Sequence, residues 1–275
     1  MIRRNAPGLK SGHGDEARNG GVQSVDRALS IIETLADDDA GYRLSDLAVR
    51  TGLSTSTAHR LLTTLEKRRF VQFDRTESKW HVGAQSFAVG ATFTGRRNFV
   101  SLAMPYLRKL RDRTRETVNL AVVDDGSIIV LTRVDSREIM RSLTKVGGRV
   151  AMVASGVGKA VLATYGDDDV SAIIRRHGMP RLTEKSIVRA SDLFRELAAI
   201  RKQGYAVDDE EARLGLRCVA AVIFNDCSEP QAAISVSGLT SRVTDECLPV
   251  LGSFVREAAS ELTAAIGGVM PAETA

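Results

Sequence analysis

The stretch LSDLAVRTGLSTSTAHRLLTTL, from Leu44 to Leu65, constrains this chain more than any other. Its spacing predicts a short helix with Leu47 and Ala48 on one face. Gly52 permits a sharp turn, Leu53 plugs the angle that follows, and Ser54 has the side chain of an N-cap. Beyond it, Ala58, Leu61, Leu62 and Leu65 recur at i, i+3, i+4 and i+7, one buried stripe of a second helix. The opposite face offers Thr55, Ser56, His59, Arg60 and Thr63, with Ser54 and Thr57 in the first turn beside them. All of these hydrogen-bond bases or phosphates when a helix lies in a major groove. The pattern is a helix-turn-helix. By itself it also fits, less well, a helical hairpin whose polar face is only solvated.

The flanks separate those two readings. Upstream, Ser24 is the predicted cap of a helix bearing Val25, Ala28, Leu29, Ile32, Leu35 and Ala36 on its apolar face. Downstream, Phe70 to Phe73 and Lys79 to Val82 alternate as strands around a polar turn from Asp74 to Ser78. Three helices and a hairpin make a winged helix, with Arg75 and Lys79 in or beside the wing. Base contacts specify and phosphate contacts position, so the second helix takes the first role and the wing residues the second. Double-stranded DNA is the partner this arrangement suits.

A chain of 275 residues is expected to hold two domains. With 43% hydrophobic and 26% charged residues it has the composition of a soluble globular protein. No apolar run has the length of a membrane span, and the first residues lack the apolar core of a signal peptide. Residues 1–20 read as a flexible tail. Cys218, Cys227 and Cys247 sit at no metal-ligand spacing and cannot all pair, so reduced thiols in a cytoplasm, and no metal, are expected. The net charge is +4, and its excess lies in the N-terminal third, the end predicted to meet DNA.

Past the wing, which closes a domain at 21–83, Phe87, Ala88, Ala91 and Phe93 recur at helical spacing. They predict a linker helix over 84–98, broken at Gly95-Arg96-Arg97-Asn98. Phe87 and Phe93 suit either a neighbouring subunit or packing within the chain. A second helix follows with Phe99, Ala103, Tyr106, Leu107 and Leu110 inward, and Pro105 implies a kink or an early start in it. From Thr117 the period becomes extended. Val118, Leu120, Val122 and the run Ile128 to Val134 flank Asp124-Asp125-Gly126, a hairpin turn. Further strands are predicted at Tyr205 to Asp208, Arg217 to Phe224 and Ala232 to Val236. Helices are predicted at Gly158 to Thr164, Asp168 to Arg176, Ser191 to Gln203 and Thr244 to Ile266. The fold class is α+β, with a largely antiparallel sheet in a domain over 99–268 and a tail at 269–275.

Two stretches there have chemical interest. In Ala154-Ser155-Gly156-Val157-Gly158-Lys159-Ala160, Ser155 can cap a helix whose first N–H groups suit a small anion. It is no phosphate-binding P-loop, because Val153 stands where the first glycine belongs and Ala160 where Ser or Thr follows the lysine. A tight backbone turn with no ligand fits it equally well. The second stretch is Asp208-Asp209-Glu210-Glu211, followed by Gly215-Leu216-Arg217-Cys218. No nucleophile-and-base set emerges from it, and no catalytic residues are assigned.

These segments together resemble the isocitrate lyase regulator (IclR) family of bacterial transcription factors. The likeness runs from about Val22 to Gly268, through VQSVDRALSIIETLA, GLSTSTAHRLLTTLE, MVASGVGKAVLA, GYAVDDEEARLGLRCVAA and AAISVSGLTSR. The resemblance implies a winged helix, a linker helix and a GAF-like effector domain, assembled as a homodimer or a dimer of dimers on operator DNA. It implies a repressor without cofactor, answering a small carboxylate: glyoxylate or a related 2-oxo acid such as pyruvate. Carried over from glyoxylate-sensing members, the backbone around Gly156 and Val157 would hold the carboxylate. Asp208 and Cys218 would line the pocket, and Ser235 and Ser237 would donate hydroxyls. Val157 replaces the alanine of those members and narrows the pocket by two methyl groups, which suits another small acid as well. A charged Asp208 would repel an anionic ligand, so it is either protonated or accepts from a hydrated carbonyl. The alternatives are an enzyme using Cys218 on a small oxo acid, for which no base is visible, and a DNA-binding protein with no ligand.

Overall fold

The computed structural model describes residues 21–95, 99–136 and 145–271. The tail expected at 1–20, the end of the one expected at 269–275, and the side chain of Phe93 lie outside the described residues. The chain divides into two compact units, Met1–Thr92 and Phe93–Ala275.

The first unit is built from α1 (Gln23–Ala36), α2 (Leu44–Thr51), α3 (Thr55–Lys67) and a hairpin of β1 (Val71–Asp74) and β2 (Lys79–Val82). Ser24 does not cap α1. The helix starts at Gln23, two residues before the start that a Ser24 cap implies, so Ser24 lies in its first turn, and extended Val22 precedes it without a side-chain cap bond. The buried face of α1 is also narrower than its apolar repeat. Ile31 and Leu35 are buried, whereas Val25 and Leu29 are exposed. Gly52 ends α2 at φ 66° and its N–H donates to Ala48 and Val49, the left-handed cap that glycine adopts without steric cost. Ser54 does cap α3, its oxygen accepting from the Thr57 N–H at 3.2 Å. Ile31, Leu35, Leu47, Leu62, Val71 and Trp80 form the core. Phe73 faces Trp80 across the hairpin with ring centroids 4.9 Å apart, and Tyr42 bonds the other edge of Trp80 through the backbone. The wing is thus tied to the loop between α1 and α2.

Helix α4 (Ala84–Gly95) follows the wing, and α5 (Phe99–Thr114) opens the second unit. Pro105 sits inside α5 on its exposed side, where the Ser101 carbonyl it leaves unpaired can meet water. Among the described residues β3 (Thr117–Asp124), β4 (Ser127–Val134), β5 (Arg149–Ala151), β6 (Ala206–Asp209), β7 (Leu216–Phe224) and β8 (Pro230–Leu239) make one antiparallel sheet in the order β5-β4-β3-β8-β7-β6. Asp125 and Gly126 turn β3 into β4 with φ of 43° and 70°, the two left-handed residues of a tight hairpin. The edge strand β5 and the 3₁₀ turn Met152–Ala154 were not expected. Each is too short to show a period.

The two faces of the sheet differ. Val118, Leu120, Val219, Ile234 and Val236 pack against α5 and α9 (Leu248–Ala265). The last helix begins at Leu248 rather than Thr244, because Pro249 suits its first turn and a 3₁₀ turn precedes it. The other face carries small residues, Ala121, Ala206, Ala220 and Ala233, under α6 (Gly156–Leu162) and α8 (Ala190–Gln203), with α7 (Asp167–His177) outside. Small side chains let α6 come close. A Cβ on Gly158 would lie 1.9 Å from the Met152 carbonyl oxygen. Gly158→Ala should therefore destabilise the protein by at least about 1–3 kcal/mol, the usual cost of overpacking, read by urea unfolding of the full chain.

Candidate DNA-binding helix and effector site

The residues expected to face DNA lie on α3 and the wing, but not all in the same condition. Thr55, Ser56, His59 and Arg60 are exposed along α3. Ser54 and Thr57 hydrogen-bond each other through their hydroxyls at 2.9 Å, so they hold the helix start as well as facing outward. Thr63 donates its hydroxyl to the His59 carbonyl at 2.9 Å, which leaves it a lone pair and a methyl for a base edge. Arg75 is exposed at the tip of the hairpin, whereas Lys79 is half-buried and paired with Glu77 at 2.9 Å. Asp74 shapes that tip. Its Oδ1 accepts from the N–H groups of Thr76 and Glu77, bonds that hold its carboxyl below the usual range. The exposed run Lys67, Arg68 and Arg69 at the end of α3 adds positive charge that the motif reading passed over. Basic residues there also complement the helix dipole, so their presence has two physical reasons.

In the second unit, strand register gathers residues far apart in sequence. Asp208 of β6 stands opposite Cys218 of β7, and Cys218 opposite Ser237 of β8. Ser235 of β8 stands opposite Asn119 of β3. Helix α6 approaches this row at its first residue. A Cβ on Gly156 would lie 3.1 Å from the Cys218 carbonyl oxygen and 3.4 Å from its sulfur and from the Asp208 nitrogen. Ser155 caps α6, its Oγ accepting from the Gly158 N–H at 3.1 Å, and Val157 is buried beside it. The structure thus brings Gly156, Asp208, Cys218, Ser235 and Ser237 together, with Val157 next in the chain.

The electrostatics of this row are set by burial. Asp208 is 4% exposed, and its Oδ1 accepts from the N–H groups of Glu211 at 2.7 Å and Ala212 at 3.3 Å. Burial, with the Glu211 carboxylate nearby, pushes its carboxyl up to about 7. Burial also raises Glu211, against the pull of Lys159. Burial and Asp208 push the Cys218 thiol up to about 11, so it is neutral and a poor nucleophile near pH 7. That chemistry is the opposite of what a Cys218-dependent enzyme needs.

Three residues at or beside the row escaped the sequence reading. Lys159 is fully buried, its ammonium paired with Glu211 and, at 3.1 Å, with Glu196. Glu211 keeps its other oxygen, Oε2, buried and without a partner among the described residues. Asn119 is buried beside the two serines. A Gly-Lys pair and a run of acids were visible in the sequence, but nothing there signalled that they meet. The acidic loop is further held by Thr183 and Ser186, whose hydroxyls donate to the Glu210 and Glu211 carbonyls at 2.8 Å. Among the described residues no His, Cys, Asp and Glu cluster could hold a metal ion. No helix of the described residues is long and apolar enough to cross a membrane.

Comparison with known proteins agrees with both halves. A family model for the IclR helix-turn-helix domain matches residues 24–75, and one for the C-terminal part of bacterial IclR transcriptional regulators matches residues 91–264. The chain is 42% identical to the acetate operon repressor of Salmonella typhimurium, covering 90% of this chain and 92% of that protein. It is 42% identical to the transcriptional repressor IclR of Escherichia coli, covering 91% and 92%. Among solved structures, the IclR protein of Thermotoga maritima superposes with a TM-score of 0.71 at 26% identity, covering 89% of this chain and 98% of that one.

The raised carboxyl of Asp208 has a measurable consequence. The folded protein holds that proton to about pH 7, whereas the unfolded chain releases it near pH 4. The associated stability is complete below about pH 4 and is lost as pH rises through about 7. Asp208→Asn should remove this slope. Urea unfolding between about pH 5 and pH 8 should show the variant losing less stability with rising pH than the parent, by on the order of a few kcal/mol.

Proposed function

This chain belongs to the IclR family of bacterial transcriptional regulators, and from that premise we propose a homo-oligomeric operator-binding repressor controlled by a small carboxylate in its second unit. The transcriptional role itself follows from the family and from relatives named as repressors; these are regulators, not enzymes. The proposal concerns how this chain performs it, in a cytoplasm and without a cofactor.

In this reading residues 21–83 bind DNA, 84–98 link, and 99–268 sense. The antiparallel sheet with helices on both faces suits the GAF-like effector domain that the family resemblance implies. Ser54, Thr55, Ser56, Thr57, His59, Arg60 and Thr63 lie in the major groove or at its phosphates, and Arg75 and Lys79 approach the backbone from the wing. A second copy is needed for two half-sites. Val22, Val25 and Leu29 expose one apolar stripe of α1, and Phe87 and Val89 are exposed on α4, surface that a partner copy would cover.

One observation carries the sensing half: cross-strand register and the first residue of α6 converge on one row, with Asp208 and Ser235 buried and Cys218 and Ser237 half-buried. The N–H groups around Gly156 and Val157 would hold a carboxylate, and the serines would donate to its second oxygen function. Burial favours the neutral form of Asp208, which lessens the repulsion a second anion would meet. Glyoxylate or a related 2-oxo acid such as pyruvate is of the right size, with Val157 narrowing the space. Binding then favours one arrangement of sensing domains, and the linker helices change the separation of the two α3 helices.

Fluorescence anisotropy with an operator fragment, with and without glyoxylate and pyruvate, tests the whole reading. Operator affinity should shift with at least one acid, and Arg60→Ala should weaken it by about tenfold. An affinity that no small carboxylate alters removes the sensing half. For the site itself, calorimetric titration of Asp208→Ala should show binding of the same acid weakened by about tenfold or more. Unchanged affinity takes Asp208 out of the site.

A further inference from the structure

Asn119 is a member of the buried polar row that no motif brings to notice. It lies in β3 opposite Ser235 and is 7% exposed. Its Nδ2 donates to the Oγ of Ser237 at 3.2 Å and, more loosely, to that of Ser235 at 3.5 Å. A serine oxygen that accepts from the amide keeps its own O–H to turn elsewhere. The Oδ1 of Asn119 is buried and has no partner among the described residues. Leaving a buried acceptor unpaired is costly, and native cores rarely do so without a reason. Two residues along the same strand, and across from it on β8, the face is filled by Ala121 and Ala233, which carry no such cost. The orphaned oxygen lies beside the two serines that face Cys218. It is a hydrogen-bond acceptor in want of a donor.

We propose that Asn119 determines specificity in the effector site: its amide aims the Ser235 and Ser237 hydroxyls at the ligand, and its Oδ1 accepts from a hydroxyl the ligand itself carries. The proposal rests on the effector-site reading above and narrows it. The favoured class is a small carboxylate with an O–H on the adjacent carbon, either a 2-hydroxy acid or an aldehyde acid such as glyoxylate, which water largely converts to its hydrate, whereas pyruvate stays largely the ketone. An acid with hydrogen or a keto oxygen at that carbon gives Oδ1 no donor. Such an acid leaves Oδ1 buried without a donor, and a keto acid in addition loses the water on its own oxygen.

Matched pairs of acids read this directly, because members of a pair differ at one position. Calorimetric titration of the full chain should show glycolate binding about tenfold more tightly than acetate, and lactate more tightly than pyruvate, the scale set by one buried hydrogen bond. Asn119→Leu, of the same branched shape though bulkier and without hydrogen bonds, should bring the glycolate-to-acetate ratio close to one. Asn119→Ser supplies the same ratio if the leucine variant does not fold, with the fold of each checked by circular dichroism. The readout is the ratio, which a loss of general stability would not change. A parent that binds pyruvate in preference to lactate would mean that the amide presents its N–H₂ to the ligand, and overturns the proposal. So does an unchanged ratio in both variants. If Ser237→Ala abolishes binding of these acids while the Asn119 variants keep the parent ratio, the effector site stands and only the role of Asn119 falls. If the parent binds glyoxylate but neither hydroxy acid, only the role of Asn119 falls; if it binds neither glyoxylate nor any of the four acids, both fall together.

Discussion

Helix α6 lies close against its surroundings at two glycines, Gly156 over the sheet and Gly158 over the 3₁₀ turn that precedes the helix. Gly158 packs its backbone on the Met152 carbonyl, and Gly156 packs on the Cys218 backbone. The alanines of the opposing strands complete the same accommodation from below. Much of the second unit's chemistry depends on this approach. It sets the start of α6 beside Asp208 and Cys218, and it carries Lys159 down to the acidic loop. A methyl group at Gly158 would clash with the Met152 carbonyl, and one at Gly156 would crowd the Cys218 carbonyl at 3.1 Å.

Burial then does to the charges what it does to the packing. Lys159 and Glu211 form a pair with almost no access to water. Such a pair is weak evidence for stability, since desolvation offsets most of its Coulomb attraction. Its geometric effect is clearer: it ties α6 to the turn after β6, while Thr183 and Ser186 tie the far side of that turn. Asp208 is held within this frame, so its carboxyl and the Cys218 thiol both keep their protons more firmly than usual. A row whose acids hold their protons more firmly repels a small anion less than a row of full charges would.

The DNA-binding unit was legible because its signals are local. The stripe from Ala58 to Leu65, the glycine turn and the Ser54 cap each act within a few residues, and α3 forms where they place it. Ser24 shows the limit, since an N-cap residue type supplies a helix start without fixing it. Val25 and Leu29 show another: an apolar repeat states which residues want burial, not whether this chain alone provides it. In the second unit the paired strands and most helices followed from period and turn residues. The strand Arg149–Ala151 did not, because three residues show no alternation. The six effector residues came from likeness of motif. Asn119 was passed over because its meaning lies in partners on a strand more than a hundred residues away.

The amino-acid sequence alone therefore determined the helix-turn-helix, its wing, the α+β character of the remainder and the family, since periodicity, turn chemistry and motif are all carried by near neighbours in the chain. Only the tertiary structure decided which polar residues meet, which of them lose water, and which acceptor is left without a donor. Those outcomes depend on antiparallel register and on the depth at which α6 lies. Both are properties of segments packed together, and no single segment encodes them.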